Sequence, residues 1–216
     1  GEAAMSSQNG TAFINGLLVS VSNNVDMSLL YRNISRKYQS LYTNAFTEST
    51  LPSNEKGLFT GITIRPAMQW QIDAYMDIYK FPWLRYRVDA PTNGTDYFAQ
   101  VTYKPNKQLE IYSRYKRESK AINYNPEDLI LNPVILQPRK NWRTQLGYKI
   151  SPTFTIRNRV EMVWFDKKGG ADESGFLMYV DLFYKPMMKR ISANFRLQYF
   201  ETQGYNSRLY AYESDV

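Results

Sequence analysis

Lys140-Asn-Trp-Arg-Thr-Gln-Leu-Gly-Tyr-Lys-Ile150, Ser151-Pro-Thr153 and Phe154-Thr-Ile-Arg-Asn-Arg-Val-Glu-Met-Val-Trp-Phe-Asp166 read as two arms and the turn between them. In the first arm Trp142, Thr144, Leu146, Tyr148 and Ile150 share one face, and Arg143, Gln145, Gly147 and Lys149 share the other. In the second, Phe154, Ile156, Val160, Met162 and Trp164 lie together, interrupted by Asn158, opposite Thr155, Arg157, Arg159 and Glu161. Side chains of a strand alternate between faces, so this is a hairpin with one apolar and one charged face. A soluble sheet also alternates, with its apolar face in a core. Two features favour lipid instead. The arms match the roughly 9–11 residues with which a tilted strand crosses a bilayer. Aromatic rings also stand near both ends of the apolar face, where rings with one dry and one wet edge meet the membrane interfaces.

The pattern recurs along all 216 residues. Thr11–Val21 pairs with Val25–Arg32, Gly57–Arg65 with Trp70–Lys80, Asp96–Tyr103 with Lys107–Arg117, and Phe176–Tyr184 with Arg190–Phe200; a further strand is expected from Tyr205. Short turns at Ser22–Asn24, Pro66–Gln69, Lys104–Asn106, Ser151–Thr153 and Lys185–Lys189 alternate with longer loops at Ser35–Lys56, Phe81–Thr95, Glu118–Arg139 and Lys167–Ser174. Tight periplasmic turns and longer outside loops are the asymmetry of outer-membrane barrels. Fixing the short turns as periplasmic sorts the apolar-face rings into two girdles. Tyr97, Tyr115, Trp142, Trp164 and Tyr199 fall near the long-loop end, and Trp70, Tyr103, Tyr148 and Tyr184 near the short-turn end. The expected fold is therefore all-β: an antiparallel up-and-down transmembrane β-barrel, present as an open, curved meander of ten or eleven strands. Its first and last strands, near Thr11 and Tyr205, would be the edges. The partners this implies are outer-membrane lipid and the remaining strands of a longer chain, because residues 1–216 read as one barrel domain cut at both ends.

Composition narrows the function. Lys and Arg number 27 against 20 Asp and Glu, a formal charge of +7, but the cations are spread through the alternating segments rather than clustered. No nucleic-acid partner is expected for this segment. Cysteine and histidine are absent, which rules out disulfides, thiolate metal sites and the Ser-His-Asp and Cys-His triads within the stretch. No enzyme activity, metal or cofactor is expected. No apolar run reaches the length of a transmembrane helix.

The residues Gly57-Leu-Phe-Thr-Gly-Ile-Thr-Ile-Arg-Pro66, Asp73-Ala-Tyr-Met-Asp-Ile-Tyr-Lys-Phe-Pro-Trp-Leu-Arg-Tyr-Arg-Val-Asp-Ala-Pro91 and Arg208-Leu-Tyr-Ala-Tyr-Glu-Ser-Asp-Val216 resemble a family of Bacteroidota outer-membrane barrel proteins. Its members often carry helix-hairpin-helix repeats ahead of the barrel. The resemblance covers most of the chain and implies a bacterial outer-membrane location and a barrel continuing beyond it. It implies no substrate, and no repeat is present here from which a DNA-binding role could be transferred.

The charged face is the richest chemical feature. Asp73, Asp77, Glu110, Arg114, Lys116, Arg143, Lys149, Arg157, Arg159, Glu161, Asp181, Arg190 and Arg196 are expected to point into a lumen. Opposite charges on adjacent strands can pair, and Arg forks suit carboxylates or phosphates. Two readings stay open: a pore whose Arg excess favours a small anionic solute, and a lumen braced shut by ion pairs. Asp73 and Asp77, four residues apart on one strand, lack the further oxygens a calcium site needs. The loop Phe81–Pro91 combines Trp83, Arg85, Tyr86 and Arg87; rings and guanidinium groups so interleaved can stack on bases or sugars. The favoured reading folds it inward or against its neighbours, with its rings buried and its Arg tied to carboxylates. Passive transport and an assembly scaffold both fit the whole pattern, and a soluble β-rich binding module is the alternative.

Overall fold

The computed structural model describes residues 1–40, 44–124, 133–166 and 172–212. It is all-β. Among the described residues eleven strands form one antiparallel sheet whose spatial order is their chain order: β1 (Glu2–Met5), β2 (Thr11–Ser22), β3 (Val25–Ile34), β4 (Glu55–Ala67), β5 (Trp70–Phe81), β6 (Thr92–Tyr103), β7 (Leu109–Asn123), β8 (Val134–Lys149), β9 (Phe154–Phe165), β10 (Glu173–Tyr184) and β11 (Ala193–Thr202). The sheet is thus an open up-and-down meander with β1 and β11 as its terminal strands.

The hairpin of β8 and β9 forms, with the expected residues sharing each face. Trp142 faces Met162, Leu146 faces Asn158 and Tyr148 faces Ile156, while Arg143 opposes Glu161 on the other side. Short and long connections alternate from β2 to β9, but the connection before β11, residues 185–192, is longer than the expected short turn. Several boundaries differ. Pro66 lies inside β4, and only Met68 and Gln69 link it to β5. Glu55 already belongs to β4, and Thr92 to β6. β7 and β8 intrude from both sides into the predicted loop Glu118–Arg139, whose residues 125–132 lie outside the described residues, as do 167–171 of the loop before β10 and 213–216 of the terminal block.

Two expectations about the edges are corrected. The first edge is β1, which pairs Glu2 with Ile14 and Met5 with Thr11, so Thr11–Ser22 is an inner strand. No strand runs from Tyr205 to Tyr212. After β11 the chain turns, with the Ser207 hydroxyl donating to the Gly204 carbonyl (3.1 Å), and it lies against the charged face of β10. Gly175 makes room there: a side chain at that position would collide with the Ser207 carbonyl.

The chain forms two compact units. The first comprises Gly1–Thr63, Ala74–Tyr97 and Glu118–Gln137; the second comprises Ile64–Asp73, Phe98–Arg117 and Pro138–Val216. In both, the strand residues of the apolar core sit on the charged face, near the strand ends that lead into long connections. Ile34, Tyr79 and Phe81 do so in the first unit, and Val163, Phe165, Leu177 and Tyr179 in the second. The opposite face is left bare: Leu17 is 57% exposed and Leu197 68%, whereas Arg32 is 0% and Glu161 2% exposed. Burial is inverted relative to a water-soluble sheet, in which ionised side chains seldom sit inside while large apolar ones line the surface.

Candidate functional site

In the first unit the charged face closes around one guanidinium. Arg32, at the end of β3, reaches across β4 to β5. Its Nε donates to Glu55 Oε1 (2.6 Å), and its two terminal nitrogens donate to Asp77 Oδ1 and Oδ2 (2.9 and 3.0 Å). The crossing requires Gly57, because a Cβ there would stand 2.7 Å from Arg32 Nη2. All three charged groups are buried, and the planar fork against a carboxylate is the geometry that makes such burial tolerable. The long connection folds onto this cluster. The Glu48 amide donates to both Glu55 oxygens (3.1 and 3.2 Å) and the Ser49 amide to Oε2 (3.3 Å). The Phe46 ring lies 5.7 Å from the Arg32 guanidinium and 5.1 Å from the Phe59 ring. Lys120 binds Glu48 (3.3 Å) and Glu118. Burial pushes the Glu48 carboxyl above the ordinary carboxylate range, against the pull of the Lys120 ammonium.

In the second unit cations outnumber acids. Glu161 accepts from Arg143 through Nε and Nη2 (2.9 and 2.8 Å), from Asn141 (2.7 Å) and from Arg159. Arg114 has no ion-pair partner among the described residues, and its buried Nε is unbonded, as is that of Arg159. Asp181 is held by Arg196 through both oxygens (2.6 and 2.9 Å), and Arg196 also donates to the Tyr212 carbonyl (2.9 Å). That pairing leaves Arg157, which faces Asp181 in the ladder, lying over the Phe183 ring at 5.1 Å.

The residues expected in a lumen therefore part into several groups. Asp77 belongs to the Arg32 cluster, while Asp73 accepts from Gln71 (2.8 Å), so the two are engaged separately. Arg143, Arg159, Glu161, Asp181 and Arg196 form the ladder just described. Glu110 pairs with Lys104 at 2.8 Å, and Lys149 is exposed beyond it. Lys116 is half-buried on β7. Arg190 is a correction: β11 starts only at Ala193, and Arg190 is exposed in the connection before it. Arg32, Glu55, Glu48 and Lys120 were missed. Arg32 and Glu55 carry the parity of the charged face, but Glu55 sits in a turn-rich stretch that hides the strand start.

Of the rings assigned to the girdles, Trp70, Tyr97, Tyr115, Tyr148, Trp164 and Tyr199 are exposed, and Tyr103, Trp142 and Tyr184 are half-buried. Trp70 packs on Tyr103 (4.5 Å between centroids) and Phe154 on Tyr184 (4.8 Å). The Trp142 indole N–H donates to Ser113 Oγ (3.0 Å) across the apolar face. The loop that begins at Phe81 buries its rings only in part. Phe81 is buried beneath Arg85, whose Nη2 donates to the Ala121 carbonyl (2.6 Å) rather than to a carboxylate. Trp83, under Arg36, and Tyr86, beside Arg87, remain exposed.

This architecture is that of solved outer-membrane proteins. It aligns with outer-membrane expressed OmpT of Vibrio cholerae at 13% identity and a TM-score of 0.53, over 90% of this chain and 54% of that one. OccK11 (OpdR) of Pseudomonas aeruginosa aligns at 12% identity and 0.55, over 89% and 53%. OpdQ of the same organism aligns at 12% and 0.52, over 93% and 55%. The chain spans about half the length of these structures. No family model and no curated protein matches it. At such identities the likeness speaks for the fold: an up-and-down outer-membrane barrel sheet.

Proposed function

We propose that this chain forms part of the wall of a bacterial outer-membrane barrel that passes small solutes without chemistry, and that the cation-rich face of its second unit favours anions. One observation carries the reading: ionised side chains such as Arg32, Glu161 and Asp181 are buried on the charged face while large apolar side chains of the other face, Leu17, Leu182 and Leu197 among them, are exposed. Lipid accommodates that outer surface and a hydrated lumen that inner one. A soluble binding module would leave the apolar face without a partner. The outer-membrane setting is also the one stated in the name of the Vibrio cholerae OmpT structure. The excess of Arg114, Arg143 and Arg159 over Glu161 supports the anion preference, since rings of Arg or Lys select anions in pores. Planar-bilayer recordings of the full chain test this. A reversal potential in a potassium chloride gradient should report anion preference, weakened in Arg159→Gln. Absence of conductance, or cation preference, would sink it.

The finer assignment, to the Bacteroidota family with helix-hairpin-helix repeats, rests on the residues from Gly57 to Pro66 and Asp73 to Pro91. Helix-hairpin-helix coding sequence directly upstream in the gene would support it.

A further inference from the structure

We infer that the charged face of the second unit carries a binding site for a small dianionic oxyanion, at the short-turn ends of β7, β8 and β9. The proposal rests on reading that face as water-filled. A cavity of about 230 Å³ lies there, walled by Lys104, Lys107, Lys149, Arg157, Gln145 and Tyr112. Its origin is Gly147. Alternation places Gln145, Gly147 and Lys149 on one face of β8, and Gly147 stands in register with Arg157 on β9. Any longer side chain at that position would project into the space between them. Only the Glu110 carbonyl comes within 3.9 Å of where its Cβ would be.

The charges around the cavity do not balance. Glu110, the one acid in the lining, is engaged by Lys104 at 2.8 Å. Asp181, across the ladder from Arg157, gives both oxygens to Arg196. Among the described residues, Lys107, Lys149 and Arg157 therefore have no carboxylate partner. Three cations around one cavity repel each other, and a doubly charged oxyanion relieves that repulsion while the Arg157 fork binds it at two points. Neutral donors complete the lining. The Tyr112 hydroxyl donates to Gln145 Oε1 (3.1 Å), which leaves the Gln145 amide group to donate onward, and Gln108 and Thr155 add an amide and a hydroxyl. The Lys149 amide, bonded to the Gln108 carbonyl at 2.9 Å, ties the end of β8 to the turn and fixes the rim. The volume falls below the roughly 300–1,000 Å³ of sites for drug-sized ligands. That points to inorganic phosphate, a small phosphate ester or a short dicarboxylate rather than an oligosaccharide or nucleotide.

Calorimetric titration of the full chain, refolded in detergent at low ionic strength, tests this with inorganic phosphate and succinate as probes over a chloride background. At least one dianion should bind well above chloride, and the tighter one assigns phosphate or dicarboxylate chemistry. Arg157→Gln and Lys149→Gln should each weaken binding about tenfold, the loss of one charged contact. Gly147→Leu should abolish it by filling the cavity, and Lys56→Gln should leave it unchanged. Heat-modified gel mobility verifies that each variant folds; should Gly147→Leu fail, the two Gln variants still decide. Neither dianion exceeding chloride, or binding that survives both Gln variants, overturns the site. Conductance without binding would sink the site alone, and binding without conductance the pore alone.

Discussion

The charged face of β3 to β5 and the charged face of β8 to β11 are built from the same residue types and arrive at opposite solutions. In the first, one guanidinium serves two carboxylates, a loop closes over them, and the group is buried. In the second, Arg143 and Arg159 converge on a single carboxylate, with Arg114 unpaired nearby and Arg157 displaced onto a ring. A buried cluster that has used up its hydrogen-bonding capacity locks structure. A face with cations left over has capacity to spend on a solute. The charges alone do not separate these roles; the count of partners around each one does.

Stability measurements can break that contrast. Arg32→Ala strands two buried carboxylates and should cost about 3–5 kcal/mol, read as a lower urea midpoint for the folded band in detergent. A loss no larger than that of Arg143→Ala would erase the distinction between the faces. The next test contrasts the two faces of the same strands. Leu146→Arg or Val180→Arg places a charge in lipid and should cost roughly 2–4 kcal/mol of membrane folding, whereas Gln145→Arg should be far milder; equal losses would refute the facing. Arg143→Ala should then cost about 1.5–3 kcal/mol, the worth of hydrogen bonds to a charged group, because Arg159 and Asn141 remain on Glu161.

The smallest effect is a pH dependence in the first unit. The Glu48 carboxyl is held above its ordinary range mainly by burial, so the folded loop binds a proton more tightly than the unfolded chain does. The stability this gives is fully present below the ordinary carboxylate pKa and is lost as pH rises through the raised value. Hydrogen exchange at the Glu48 and Ser49 amides, corrected for intrinsic rates, should quicken over that interval in the wild type and stay flat in Glu48→Gln. The same rise in the variant would assign the effect to another group.

The strands were legible because alternation is a local property: Trp142 to Ile150 and Phe154 to Trp164 declare their faces without reference to anything distant. What escaped was whatever depends on cover. β1, Glu-Ala-Ala-Met, has neither β-branched residues nor alternation and is a strand only because β2 offers it an edge. Tyr205 to Tyr212 looks like a strand by its aromatic spacing, yet Gly175 opens a seat for Ser207 and the segment lies across the sheet instead. Glu55 has the look of a loop residue because Pro52, Ser53 and Asn54 precede it. Parity alone groups the charged strand residues on one face, and it misleads at Arg190, which precedes β11. Which of them are neutralised was not readable, since Arg32 finds its second partner two strands away.

That reach across β4 bears on how the wall is assembled. A slip of β4 by one residue against its neighbours would turn Glu55 and Gly57 to the lipid side and bring Lys56 and Leu58 beneath the guanidinium. Arg32 would then meet a like charge and a side chain it cannot cross, in a setting that tolerates neither. The complete cluster, with Glu55 and Asp77 both on Arg32, therefore forms only when β3, β4 and β5 are in this alignment, which ties the register of three strands to one buried charge.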